Sequence, residues 1–253
     1  MSGTVYLVGA GPGAPDLLTL RAARILARAD VVLHDALVHA DTLALAARAQ
    51  KVAVGKRCGR HSTAQRFIDK RLVDAARKHP VVVRLKGGDP MLFGRAQEEI
   101  EALEAARIPY EIIPGVTAAL AAAAAIRTSL TQRGRVRTFT FATPRVGDGE
   151  PESDWLDGLR HANAGAIYMG RGEAVRIATS LIGAGMPAAT PVALVVDASL
   201  ASEAAYHTTL AQLPATAMAV IDGASLLLVG PQFRARARNN TRNLRTGEAA
   251  QRA

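Results

Sequence analysis

The sequence is short of aromatic residues and almost without cysteine. Phe, Trp and Tyr supply 4% of its 253 residues, against 22 glycines and a large share of aliphatic and small side chains. That mix suits an α/β enzyme better than an all-β shell. The lone Cys58 excludes an internal disulfide and a cysteine metal cluster. No apolar run reaches the roughly 20 residues of a membrane span, and MSGTVYLVGAGPG carries no charged region ahead of a hydrophobic stretch. A cytoplasmic protein is expected. No G-x-S-x-G and no G-x-x-x-x-G-K-[ST] occurs, so the usual serine-hydrolase and P-loop chemistries lack their nucleophile and phosphate cradle.

Charge is plentiful but unevenly placed. Of the net +9, six arginines (Arg234, Arg236, Arg238, Arg242, Arg245, Arg252) against Glu248 put +5 in the last twenty residues, leaving +4 for the body. About half the basic signal is therefore a tail, either solvated or an arm for RNA or another acidic partner, and nucleic acid is not the expected ligand.

The first half alternates strand and helix: strand Val5 to Gly11, helix Leu17 to Ala29, strand Asp30 to Asp35, strand Lys51 to Lys56, helix Thr63 to Lys78, strand Pro80 to Gly87, helix Ala96 to Ala106 and strand Pro109 to Gly115. Unbroken apolar strands point to a parallel sheet covered on both faces. Pro114-Gly115 interrupts the pattern, and Thr117 is placed to cap an alanine-rich helix over Ala118 to Ala125. The second half reads as strand Thr138 to Thr143, strand Gly165 to Gly170, helix Glu173 to Gly183, strand Pro191 to Asp197 and strand Ser225 to Gly230. The expected organisation is an N-terminal α/β domain over 1–114, a C-terminal α/β domain over 115–232 and a basic tail over 233–253. The small residues of AALAAAAA would let either a ligand or another backbone come close.

Two loops carry the chemical signal. Gly9-Ala10-Gly11-Pro12-Gly13-Ala14 fits a loose dinucleotide pattern, with Asp35 at the end of the second strand where a ribose-binding acid belongs. Pro12 removes an N–H that a pyrophosphate would need, so a tight turn or a different nucleotide-like cofactor competes with that reading. Lys86-Gly87-Gly88-Asp89-Pro90 ends a strand at the edge where open α/β sheets bind ligands. Its glycines admit close backbone approach and Asp89 suits a cation, although the same residues also make an ordinary turn. His34, Asp35, His39 and Asp41 do not have a standard metal spacing, and Cys58 has no resolving partner.

GAGPG, VVLHDALV, VGKR, VRLKGGDPMLFGR, IIPGVTAA, IYMG and PVALV follow one another over residues 4 to 232. In this order they resemble the uroporphyrinogen-III C-methyltransferase family within the wider tetrapyrrole methylases. The resemblance implies two α/β domains with an active-site cleft between them, the class III methyltransferase fold, and S-adenosyl-L-methionine as methyl donor with S-adenosyl-L-homocysteine as product. It places the cofactor against Pro12, Gly87, Gly88, Asp89, Leu92, Thr117, Ala118, Met169 and Ala198, and supersedes the dinucleotide reading. It marks Asp35 as proton acceptor and Lys56 as proton donor, with no metal. The implied partners are the anionic tetrapyrrole uroporphyrinogen III and a second copy of the chain. Lys56, Arg57, Arg60, His61, Arg95 and Arg133 are candidates to line the cleft against its carboxylates.

The family commonly reads P-L-T-H-R and T-G-H where this chain has Ser129-Leu130-Thr131-Gln132-Arg133 and Ala142-Thr143-Pro144-Arg145, and Val196-Asp197 replaces its acid-asparagine pair. The departures bear on substrate handling. The chain opens at its first strand, so methylation without a fused dehydrogenase-chelatase module is expected, at C2 and C7 of uroporphyrinogen III to give precorrin-2 for sirohaem or cobalamin. The alternatives are a methylase of a later precorrin, an RNA-modifying methylase of the same superfamily and a non-enzymatic sensor.

Overall fold

A computed structural model describes residues 2–55, 65–147, 153–220 and 223–235. The first sheet uses β1 (Thr4–Gly9), β2 (Val31–His34), β3 (Gln50–Ala53), β4 (Val81–Lys86) and β5 (Tyr110–Ile113) in the order β3-β2-β4-β1-β5. Every pairing in it is parallel, with Thr4 to Gly9 alongside Val81 to Lys86. Parallel strands need crossovers and end up covered on both faces. Here α1 (Leu20–Arg28) helps bury Val8, Val32, Val83 and Leu85 on one face, while α3 (Gln65–Ala76) and α4 (Ala96–Ala105) bury Val5, Leu7, Leu33 and Val82 on the other. A further short helix, α2 (Ala40–Ala44), follows β2. The helix expected from Leu17 starts later: Pro15–Leu17 forms a single 3₁₀ turn, and Thr19 caps α1 by accepting from the Ala22 N–H at 3.2 Å.

The second sheet takes β6 (Phe139–Ala142), β7 (Ala164–Tyr168), β8 (Pro191–Val196), β9 (Ala204–Thr209) and β10 (Ser225–Val229) in the order β6-β7-β10-β8-β9. Only β6 and β7 pair in parallel. One face packs on α6 (Trp155–His161), α7 (Ala174–Gly183) and α8 (Leu213–Ala219). The other receives α5 (Ala118–Ala125), with Ala119 and Ala122 against Ala166, Ala193, Val195 and Leu228. The alanine run thus serves close helix-to-sheet packing. Among the described residues no helix is long and apolar enough to cross a membrane.

Candidate active site

Of the ordered strands, β1 and β4 are neighbours in the first sheet but far apart in sequence, and the loops leaving their carboxyl ends meet. Such a reversal of strand order is where open α/β sheets form ligand crevices. Gly11 and Gly88 exchange backbone hydrogen bonds, Gly88 N–H to Gly11 C=O at 2.8 Å and Gly11 N–H to Gly88 C=O at 3.2 Å. Both glycines have positive φ, 71° and 66°. A third loop closes in after β5: a Cβ on Gly9 would lie 2.6 Å from Gly115 Cα and 2.7 Å from Gly88 O. The crevice floor is therefore main chain, with side chains excluded by contact distance at Gly9 and Gly115.

Asp89 ties these loops together. One carboxylate oxygen accepts from the Met91 N–H at 2.8 Å and the other from the Gly115 N–H at 2.9 Å. Its charge is thereby spread over two backbone dipoles. Gly87, Gly88, Asp89, Leu92, Pro12, Thr117 and Ala118 are all partly exposed around this floor.

The second half supplies the opposite wall through two contacts. The Ala14 N–H donates to Ser199 Oγ at 3.1 Å, and Leu200 occupies the space a side chain on Gly13 would need. On the other flank Tyr168 reaches into the first turn of α5. Its hydroxyl lies 2.6 Å from Thr117 Oγ1 and accepts from the Ala119 N–H at 3.2 Å. Thr117 occupies the N-cap position, but its side chain makes no capping bond, because the Tyr168 oxygen takes the N–H that it would have satisfied. Burial is the chief cause that raises the Tyr168 pKa, against the opposing bonds to Thr117 and Ala119. Its ring rests against Phe93 with centroids 5.1 Å apart and near Phe141 at 6.3 Å. Met169 follows at φ 55°, 40% exposed, and Ala198 sits between Asp197 (φ 48°) and Ser199 (φ 79°). With Phe93 (φ 52°) and Arg95 (φ 56°), these left-handed residues gather on the loops at the ends of β4, β7 and β8. Backbone strain of this kind concentrates at ligand sites. A half-open cavity of about 170 Å³ lined by Leu159, Met186 and Pro231 lies at the opposite end of the second sheet's strands.

Asp35 stands at the end of β2, 28% exposed, with Oδ1 bound by Arg84 NH2 at 2.5 Å. Arg84 Nε and Lys86 Nζ each donate to Glu99 Oε1 at 2.8 Å, and all three of these residues are buried. Burial works against the Arg84 charge, but Asp35 and Glu99 outweigh it and raise its pKa. Burial and then the Arg84 cation lower that of Lys86, with Glu99 and Asp35 opposing. Gly55 packs directly on Asp35. Lys56, Arg57, Arg60 and His61 lie outside the described residues. Arg95 and Arg133 are exposed; Arg95 forks onto both oxygens of Glu98 at 2.7 Å.

The geometry thus gathers Pro12, Gly87, Gly88, Asp89, Thr117 and Ala118 onto three touching loops, with Met169 and Ala198 on the facing strand ends. Sequence reasoning missed Arg84, Glu99 and Tyr168 as parts of the site. The signal for the first was present, since Arg84 and Lys86 interrupt an otherwise apolar strand at positions that share one face.

A model of the tetrapyrrole (corrin/porphyrin) methylases matches residues 4–214. A siroheme synthase of Azotobacter vinelandii is 43% identical over 236 residues, which cover 92% of this chain and 51% of that protein. The chain spans about half the length of the curated relatives it matches. Among solved structures, a uroporphyrin-III C-methyltransferase from Thermus thermophilus, complexed with S-adenosylhomocysteine, is 40% identical with a TM-score of 0.79 and is covered over 97% of its length. A cobalt precorrin-4 methyltransferase is 30% identical with a TM-score of 0.77, covered over 94%. The chain belongs to the tetrapyrrole methylase family.

Proposed function

We propose that this protein transfers two methyl groups from S-adenosylmethionine to C2 and C7 of uroporphyrinogen III, giving precorrin-2 for sirohaem or cobalamin. The observation that carries the reading is the main-chain crevice formed where the Gly11, Gly88 and Gly115 loops touch, faced by Met169 and Ala198, in a chain 40% identical over nearly the whole length of a relative solved with S-adenosylhomocysteine.

The residues fit such a cofactor. Side-chain-free walls at Gly87 and Gly88 admit a flat adenosyl group, Leu92 and Met169 offer apolar contact, and the carbonyls of the crossed loops suit a cationic sulfonium end. Bound there, S-adenosylmethionine supplies an electrophilic methyl for attack by a ring carbon. Pro12, Gly87, Gly88, Asp89, Leu92, Thr117, Ala118, Met169 and Ala198 hold and align it, and alignment in a dry cleft supplies most of the acceleration. Asp35 takes up the proton lost from the methylated ring, and Lys56 is the proton donor. The cationic rim, with Arg95 and Arg133, receives the carboxylates of the acceptor.

We also read 1–114 and 115–232 as two domains, since each sheet is drawn from one continuous stretch and α5 packs on the second. A homodimer in the cytoplasm completes the proposal.

Anaerobic incubation with both reactants, followed by product mass, tests the activity. A gain of two methyl groups is expected. Absence of any methylated tetrapyrrole, from protein that binds S-adenosylhomocysteine, overturns it. A methylase of a later precorrin is favoured by Gln132 and by Ala142 to Arg145, where the family's histidines are missing. Preference for an already methylated ring in direct competition would select that reading.

A further inference from the structure

We propose that Arg84 is the positioning residue for Asp35: held from behind by Glu99, its guanidinium pins Asp35 Oδ1 and reserves Oδ2 for the proton of the substrate. The inference rests on Asp35 being the proton acceptor.

Arg84 and Lys86 leave the same face of β4, the face that α3 and α4 cover, where their neighbour on the strand is the aliphatic Val82. Packing alone does not call for two cations there. Aliphatic side chains of similar size would fill the space without desolvating charge. The guanidinium is instead used in three directions, through Nε to Glu99 at 2.8 Å, NH1 to Leu85 O at 3.3 Å and NH2 to Asp35 at 2.5 Å. Two of these acceptors are buried and fixed, so the third is placed by them. Arginine is suited to this because its donors form a rigid planar fork.

Lys86 completes the arrangement by sharing Glu99 Oε1, so that the four side chains of Asp35, Arg84, Lys86 and Glu99 sum to zero charge. It also reaches the loop after Gly88, since a Cβ on Gly94 would lie 3.2 Å from Lys86 Cε. From the other side Gly55 closes on Asp35, where a Cβ would lie 2.9 Å from its Cα and 3.1 Å from Oδ1. The neighbouring His34 turns its Nδ1 to the Asp35 carbonyl oxygen at 3.1 Å and not to the carboxylate. Oδ2 is left without a hydrogen-bond partner among the described residues. A proton taken from a ring carbon onto Oδ2 gives the four-residue cluster one net positive charge beside Arg84. The carboxyl then releases that proton to water, and the acceptor is reset for the second methylation.

Five proteins test this: wild type, D35N, R84K, R84M and R84M/D35N. Each is measured for S-adenosylhomocysteine binding by calorimetry and for KM and kcat with uroporphyrinogen III. R84K keeps the buried charge and guards against a folding failure of R84M. Binding and KM should stay within about threefold of wild type in R84K and R84M, while kcat falls about 10- to 100-fold, the cost of a misplaced proton acceptor. R84K, which keeps a cation beside Asp35, should recover part of the kcat lost in R84M. R84M should add less than about twofold to D35N, since residues acting through one another are not additive.

Wild-type kcat in both R84K and R84M, with D35N inactive, overturns the positioning role alone. Loss of S-adenosylhomocysteine binding in R84K in proportion to kcat marks Arg84 as structural and overturns it as well. Wild-type turnover by D35N overturns the reading of Asp35 and this inference with it.

Discussion

The two sheets of this protein solve the same packing problem differently. Interior strand β8 of the second sheet is buried from Pro191 to Val196 with no charged side chain, as an apolar core predicts. Strand β4, also flanked by strands on both sides and buried over Val82 to Lys86, carries Arg84 and Lys86 and is neutralised by Glu99 from α4. Among the described residues, all buried charge lies in the first half. The difference separates a half that works by ionic placement from a half that works by shape. The second half contributes Met169, Ala198 and the Tyr168 hydroxyl, none of them charged at neutral pH.

The sharpest way to break this contrast is to remove the anion. Glu99→Ala leaves two buried cations facing each other, and a loss of about 3–5 kcal/mol is expected from urea unfolding, the usual cost of breaking a buried ion pair. A loss under about 1 kcal/mol would mean that the charges are not confined as described. Leu227→Ala, at a fully buried site in β10, should cost about 2–5 kcal/mol through an empty cavity. Its effect should be the same at neutral and alkaline pH, whereas that of Glu99→Ala should change, since Lys86, whose pKa burial lowers, loses its anionic partner.

A smaller loss of about 1 kcal/mol is expected for Tyr168→Phe, which leaves the Ala119 N–H without its acceptor at the start of α5. Thermal unfolding measures it, and no change in Tm would show that Thr117 can replace the phenol as cap. The smallest effects are at alkaline pH, where the two halves should respond in opposite senses. Lys86 has a folded-state pKa below the ordinary lysine value, so the unfolded chain binds more protons and stability relative to K86M rises as pH climbs toward that value. Tyr168 has a raised pKa, so its contribution relative to Y168F is full below the ordinary tyrosine value and falls as pH rises through it. Unfolding midpoints of wild type, K86M and Y168F at pH 8 and 11 separate the two signs.

Much of the first sheet was legible because parallel strands buried on both faces read as apolar runs, as in Val31 to Leu33 and Val81 to Val83. Strand β9 was missed for the converse reason: at the sheet edge, with Tyr206 and His207 exposed, it has no such run. The helices α2, α6 and α8 have five to seven residues, too few for a helical period to register. At the site, loops with a compositional mark stood out, and Gly87, Gly88 and Asp89 are among them. The partnerships did not. Glu99 is one of several glutamates on an ordinary amphipathic helix, and only the fold brings it beneath Arg84. Tyr168 is separated from Thr117 by a whole strand-and-helix unit, so no local pattern links them.

The crossing of the Gly11 and Gly88 loops has a consequence for how such proteins diversify. A surface made of peptide groups can be redrawn only by moving the backbone: a side chain added at Gly9 or Gly115 would collide with a neighbouring loop, and Gly11 and Gly88 hold a left-handed φ that other residues rarely adopt. Point mutation therefore has little to act on at the floor. The segments around Gln132 and Thr143, where this chain departs from its relatives, are open to it. Descendants of one ancestor can then keep a single donor while exploring many acceptors.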